Sequence, residues 1–220
     1  MLNFTKNELI NYLKYIDFIQ EKLDRYFEDQ KPFIFCKKGC GRCCKNQQFP
    51  YSQIEMQYLI IGASMLPPEK RKVIEKKIDE IIEAKKKNKK KKFHYDCPFL
   101  IDNVCSVYNH RGLICRSFGL MIKPDKGSIS VPFCFSEKLN YSNVINIRKK
   151  ELSTRKYKKL NTTATPNAYH VGYKDLADED LANGFGFRFG EIKQMVDWFE
   201  IFKEKLTEQI EKSDNEIESF

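Results

Sequence analysis

The sequence has no apolar run long enough to cross a bilayer. Its longest, Tyr58 to Leu66, falls far short of the ~20 residues a spanning helix needs. The N-terminal stretch MLNFTKNELINYLKYIDF mixes charges among its apolar residues and has neither a basic-then-apolar signal region nor a small-residue cleavage site. The expectation is therefore a cytoplasmic chain with no membrane association, in which thiols stay reduced. There are only three histidines, and none stands in a serine–histidine–acid pattern. No internal repeat is present.

Positive charge is abundant but local. The net charge is +9, and seven of those charges lie in KKKNKKKK, Lys85 to Lys92; without them the chain would carry +2. Such a run can hold nucleic acid or an anionic surface by counterion release. No aromatic residue interleaves the lysines, so no base-stacking platform is indicated, and a solvated helix end is the simpler reading.

Apolar residues make up 41% and charged residues 31% of 220, the balance of an ordinary globular protein with one substantial core. Thr5 and Glu8 form a capping box, and Leu9, Leu13, Ile16, Ile19, Leu23 and Phe27 recur at helical spacing. A helix is predicted over 5–29, ended by Pro32. Ser52 and Glu55 form a second capping box, opening a helix with Ile54, Tyr58, Leu59 and Ile61 that stops near Pro67. Pro68 suits the first turn of a third helix, with Ile74, Ile78, Ile81 and Ile82 along one stripe. The segment 190–212 carries Ile192, Met195, Val196, Phe199, Phe202, Leu206 and Ile210 and reads as the strongest helix.

Between these helices the texture changes. Phe99 to Tyr108, broken at Asp102-Asn103, predicts a hairpin, and Leu120 to Phe133 predicts another around Pro124-Asp125-Lys126-Gly127. A helix is expected between Ser142 and Leu160, and irregular chain over 161–190. There GFGFRFG, Gly184 to Gly190, reads as phenylalanines packing on the core rather than as a phosphate loop. The expected fold is mainly α with short β-hairpins (α+β), one domain over 1–220. A cysteine-rich core at 33–136 is flanked by the N-terminal helix 5–29 and the C-terminal helix 190–212.

All eight cysteines fall inside that core. Cys36-x3-Cys40-x2-Cys43-Cys44 comes first, then Cys97, Cys105, Cys115 and Cys134. They stand beside glycine, lysine and arginine rather than on helical stripes. Short gaps let a loop fold around a metal about 2.3 Å from each sulfur. Gly39 and Gly41 permit positive φ there. Lys37, Lys38, Arg42 and Lys45 are placed to offset the charge of several thiolates. Adjacent Cys43 and Cys44 are expected to diverge and so to serve different metals or different irons, unless only one is a ligand. Four disulfides or unliganded buried thiols are the competing readings; the expected reducing compartment weighs against the first. His110, between Cys105 and Cys115, reads as a surface or supporting residue, His94 sits beside the lysine run, and His170 has no local partner.

The first cysteine group, with the helix that follows near Ser52 and Glu55, resembles the YkgJ-type cysteine-cluster family, a zinc- or iron-chelating domain with a CxxCxxCC signature. CPFL (Cys97 to Leu100) and CSVYNHRGLICRSFG (Cys105 to Gly119) strengthen the likeness. Cys105, Tyr108, Arg111, Cys115, Arg116 and Phe118 fall on the family pattern. Two positions depart from it. The first gap is three residues rather than two, and Gly112 stands where proline is usual, a change expected to matter only locally. The resemblance covers about residues 36 to 134. It implies metal binding by the eight cysteines, as an iron–sulfur cluster or a zinc or iron ion, with Arg111 and Arg116 as supporting cofactor-binding residues. The metal or cluster is the partner it implies, with room for a protein partner. A more distant likeness to flagellin lysine N-methylases, which look like iron–sulfur proteins that use S-adenosylmethionine, raises a methyltransferase as an alternative; those chains are considerably longer. Cys36, Cys40 and Cys43 also match the spacing of radical S-adenosylmethionine enzymes, but Arg42 stands where those have an aromatic residue. A zinc-dependent nucleic-acid module built on the lysine tract is the third alternative.

Overall fold

The computed structural model describes residues 4–218 except 38, 47, 91 and 150, with side chains described as far as residue 211. Lys38 and Lys91, counted above among the basic residues, lie outside the described residues.

Helix α1 (Lys6–Asp29) starts at the predicted capping box, with Thr5 and Glu8 satisfying each other's backbone amides. Its buried face is Tyr12, Tyr15, Ile16, Ile19 and Leu23. Ile16, Ile19 and Leu23 lie on the predicted stripe; Leu13 is 40% exposed, and Tyr12 and Tyr15 widen the buried face in its place. They are wider than leucine and cross Phe187 and Phe189 edge to face. Each buried aromatic of this kind contributes about 1.5–3 kcal/mol by leaving water. At the end of α1, Gln30 is fully buried; its amide donates to Thr165 O at 3.0 Å and accepts from Asn167 N at 2.9 Å.

Strand β1 (Pro50–Ser52) runs straight into α2 (Gln53–Ser64) through the second capping box at Ser52 and Glu55. This helix buries residues on more than one face, among them Ile54, Met56, Leu59, Ile60 and Ala63. Helix α3 (Pro68–Lys87) has proline in its first turn and buries Ile74, Ile78 and Ile81 as predicted. Three of the tract's seven lysines, Lys85 to Lys87, therefore form the last turn of α3, where Lys86 pairs with Glu83 and Lys85 with Asp197.

Strands β2 (Leu100–Ile101) and β3 (Val104–Cys105) form the predicted hairpin. Asp102 and Asn103 both take positive φ, +50° and +59°, as a tight two-residue turn requires. Helix α4 (Leu113–Ser117) follows. The second predicted hairpin is only half formed. Ile122 and Ser130 exchange backbone hydrogen bonds of 2.9 Å, but β4 (Met121–Ile122) takes as its main partner the parallel strand β7 (Ala168–Tyr169). Where a helix was expected at 142–160, β5 (Ile145–Asn146) pairs antiparallel with β6 (Glu151–Leu152), and only α5 (Thr154–Tyr157) is helical. Buried Val144 and Ile145 follow each other with no helical repeat, and Asn146 binds the amides of Arg148 and Lys149 as a turn residue does.

The stretch expected to be irregular contains α6 (Tyr173–Leu176) and α7 (Glu179–Phe185) besides β7. Its phenylalanines do pack on the core: Phe187 and Phe189 are buried. The C-terminal segment is not helical from 190. Strand β8 (Ile192–Gln194) pairs antiparallel with β1, a 3₁₀ turn covers Met195–Trp198, and α8 (Phe199–Glu218) begins only then. Helix α8 packs against α2 and α3 through Phe199, Phe202 and Leu206. The architecture is mainly α, with four two-stranded sheets among the described residues.

Candidate metal centre

Chain between Phe33, fully buried, and β1 carries the first four cysteines. Gly39 (φ +83°) and Gly41 (φ +56°) supply the left-handed turns that bend it. Cys40 N–H donates to Lys37 O at 3.0 Å, and Cys44 N–H donates to Gly41 O at 3.0 Å. The resulting 3₁₀ turn, Arg42–Cys44, brings the Sγ atoms of Cys43 and Cys44 to 3.8 Å. The expected divergence of these neighbours belongs to strands and α-helices and does not hold in so tight a turn. Two thiolates of one tetrahedral zinc stand about 3.8 Å apart, from ~2.3 Å bonds.

Three contacts join this loop to the later cysteines. Cys97 N–H donates to Cys44 O at 2.7 Å. Arg42 Nε lies 2.6 and 2.7 Å from the two Glu137 carboxylate oxygens, and its guanidinium covers Phe133 at 4.6 Å. Arg42 thus fastens the loop to the turn Phe133–Glu137, which holds Cys134. Asn140, fully buried, accepts from Phe35 N at 2.8 Å and donates to Gly119 O at 3.0 Å. Gly119 has φ +114°, and a Cβ there would meet Asn140 Nδ2 at 2.7 Å and lie 3.8 Å from Cys36 Sγ.

All eight cysteines are free. Their mutual electrostatic influence divides them. Cys36 and Cys40 raise Cys134, and Cys40 raises Cys36. Cys44 feels Cys97 and Cys115, and Cys115 feels Cys105. Cys43 acts on Cys36, Cys105 and Cys115 and so belongs to both sets. Among the described residues, no three sulfurs lie mutually within 4.8 Å; the one trio of donors that does is Asp125, His170 and Asp175.

Burial pushes the thiols of Cys36 and Cys105 up, and those of Cys115 and Cys134 up to about 12. Cys43 is raised by its hydrogen bond with Cys44 and by burial. Cys44 is held down by Cys43, but its hydrogen bond with Cys97 and burial outweigh that. Without a cation these thiols keep their protons at neutral pH; a metal must displace them. The donor set is all sulfur, which suits zinc, iron or an iron–sulfur cluster and not the hard cations.

The two arginines named from sequence behave differently. Arg111 stacks on Tyr108 at 3.7 Å, its buried Nε has no hydrogen-bond partner, and its charge lowers Cys43, Cys105 and Cys115. Arg116 is buried and donates to Asn109 O (2.7 Å), Gln20 Oε1 (3.0 Å) and Arg111 O (3.1 Å), a strut from α1 to the turn that carries Arg111. His110 packs on Tyr58 and against Gly62, where a Cβ would come within 2.3 Å of its ring. His94 Nδ1 lies 3.3 Å from Asn46 O, and His170 Nδ1 lies 3.6 Å from Asp125, a partner 45 residues away that no local pattern reveals.

Two residues were not singled out for the site from sequence. Tyr51, on β1, places its Oη 3.4 Å from Cys115 Sγ. Glu55 is fully buried. It accepts from Ser52 N (2.8 Å), Ser52 Oγ (2.7 Å), Leu113 N (2.8 Å) and Tyr173 Oη. Burial pushes its pKa up, against the pull of those donors. It joins α2 to α6 and to the helix that bears Cys115. The capping box was legible; its reach to Leu113 and Tyr173 was not, because those partners are 58 and 118 residues away.

Residues 35–135, which include every cysteine, match the CxxCxxCC family model, described as "Putative zinc- or iron-chelating domain". Neither a curated protein nor a solved structure gave a match to the chain.

Proposed function

We propose, from the premise that residues 35–135 are a zinc- or iron-chelating domain of the CxxCxxCC family, that this protein holds zinc, iron or an iron–sulfur cluster in the cytoplasm. Its ligands are the thiolates of Cys36, Cys40, Cys43, Cys44, Cys97, Cys105, Cys115 and Cys134. The observation that carries this reading is geometric: the eight cysteines are unbridged, Cys43 and Cys44 hold their sulfurs 3.8 Å apart, Cys97 N–H donates to Cys44 O, and Arg42 ties their loop to the turn that bears Cys134. Arg111 supplies the nearby positive charge. A bound zinc would cross-link the loop, hairpin and helix; an iron–sulfur cluster would add electron transfer. Because a thiol must lose its proton to ligate, and the ligands come together only in the fold, binding free energy is also folding free energy.

Elemental analysis of protein prepared without oxygen tests the reading. Brown protein containing iron and sulfide identifies a cluster; colourless protein with stoichiometric zinc identifies a zinc site. Less than one equivalent of either metal, unchanged after incubation with both, would refute it. The same preparation separates the alternatives. Saturable binding of S-adenosylmethionine would point to a methyltransferase. Salt-sensitive binding to random duplex, lost when Lys85 to Lys92 are replaced, would point to nucleic acid. The pairing of Lys85 with Asp197 and Lys86 with Glu83 supports the solvated helix end instead.

A further inference from the structure

The phenol of Tyr51 is 1% exposed and fixed from several sides. Its backbone lies in the β1–β8 ladder opposite Lys193, and its carbonyl accepts from Trp198 Nε1 at 3.0 Å. Its Oη accepts the backbone N–H of Gly112 at 3.0 Å and lies 3.4 Å from Cys115 Sγ. That geometry decides where the phenol hydrogen goes. If Cys115 donated, the hydrogen of Tyr51 would be buried without an acceptor, at a cost of about 1–3 kcal/mol. If Tyr51 donates, both groups are satisfied, and the acceptor is best satisfied as a thiolate.

We infer that Tyr51 is a positioning residue for the metal centre: it donates a hydrogen bond to the Cys115 thiolate and tunes the electron density that sulfur gives its metal. The inference rests on the thiolate-centre reading above. Gly112 belongs to the device. Its amide polarises the phenol, and a Cβ at this position would stand 2.7 Å from Tyr51 Cζ and 2.8 Å from Glu55 Oε1. The glycine that departs from the family's proline therefore both supplies a donor proline lacks and leaves room for the ring. A hydrogen bond to a ligating sulfur withdraws charge from it, which shifts charge-transfer energies and, for iron, potential.

Cobalt(II) added to the metal-free full chain reads this directly, through its sulfur-to-cobalt charge-transfer band. Tyr51→Phe removes the donor and is expected to move the band to longer wavelength at unchanged cobalt stoichiometry. Site-specific 3-fluorotyrosine at position 51 makes the phenol a stronger donor and is expected to move it to shorter wavelength. The fluorinated protein keeps the acceptor for Gly112, so it reports even if the phenylalanine variant does not fold. A wild-type band with no shift in the fluorinated protein, or shifts of the same sign in both, overturns the role of Tyr51 and leaves the metal reading standing. No thiolate band in the wild type overturns both.

Discussion

Glu55 offers the most demanding test of how the scaffold holds the site. Replacing it with alanine removes the acceptor for two fully buried backbone amides, Ser52 and Leu113, and for the hydroxyls of Ser52 and Tyr173. Each buried donor left unpaired costs about 1–3 kcal/mol, and the two amides cannot turn elsewhere. Relief of the buried charge returns part of this, so the net loss is expected near 3–5 kcal/mol. Glutamine is the informative partner. Its single oxygen can face Leu113 or the Ser52–Tyr173 side, and its amide then confronts a donor on the other. It should lose about 1–3 kcal/mol. Urea unfolding gives these differences directly. In a chain of this size the alanine variant should melt on the order of 10 °C lower. Because Leu113 stands two residues before Cys115, cobalt affinity should fall in the same order: wild type, glutamine, alanine. An alanine variant within 1 kcal/mol of wild type would refute the claim that this carboxylate ties the helices together.

Other expectations follow from the thiols and the glycine beside them. Cys40→Ala should lower bound metal and the melting temperature of the loaded protein while changing the metal-free protein far less; equal metal content by elemental analysis would contradict this. In the metal-free protein, Cys115 and Cys134 hold their protons up to about 12, against ~8.5 for an unfolded thiol. Folded thiols thus bind protons more tightly, and that stability is complete below pH ~8.5 and is lost as pH rises toward 12. Urea midpoints of metal-free protein should fall steadily above pH ~8.5, whereas metal affinity should rise with pH as proton competition fades; midpoints level up to pH ~10.5 would contradict the first. Gly112→Ala should cost about 1–3 kcal/mol in urea unfolding, because Tyr51 and Glu55 must move to admit its methyl group. Gly112→Pro should cost more, since it also removes the amide that Tyr51 accepts.

Local signals were the ones the sequence could carry. Both capping boxes, Pro68 in a first turn, and the Asp102-Asn103 turn each specify structure within a few residues, and each stands where its chemistry predicts. Long-range pairing overrode the rest. Ile192 fits a helical stripe with Met195 and Phe199, yet β1 claims it as a strand partner. Met121 pairs with Ala168 across 47 residues, a register no turn sequence encodes. Leu13 fits the heptad-like spacing of α1, but the aromatic cluster of Phe185, Phe187 and Phe189 selects the tyrosine face. For the candidate centre, spacing singled out the cysteines, and the family likeness added Arg111 and Arg116. The phenol of Tyr51 carried no signal of its own and Glu55 read as a helix cap, because their significance depends on partners brought near only by the fold.

The β1–β8 ladder has a consequence for how the cysteine segment could be moved between proteins. Lys193 opposite Tyr51, Trp198 on the Tyr51 carbonyl and Tyr173 on Glu55 all lie beyond residue 135. A peptide cut at the borders of the family match would keep every sulfur yet forfeit these braces. Transplanting 35–135 into another host should therefore yield a floppy chelator, unless a surrogate edge strand and an indole are engineered alongside it.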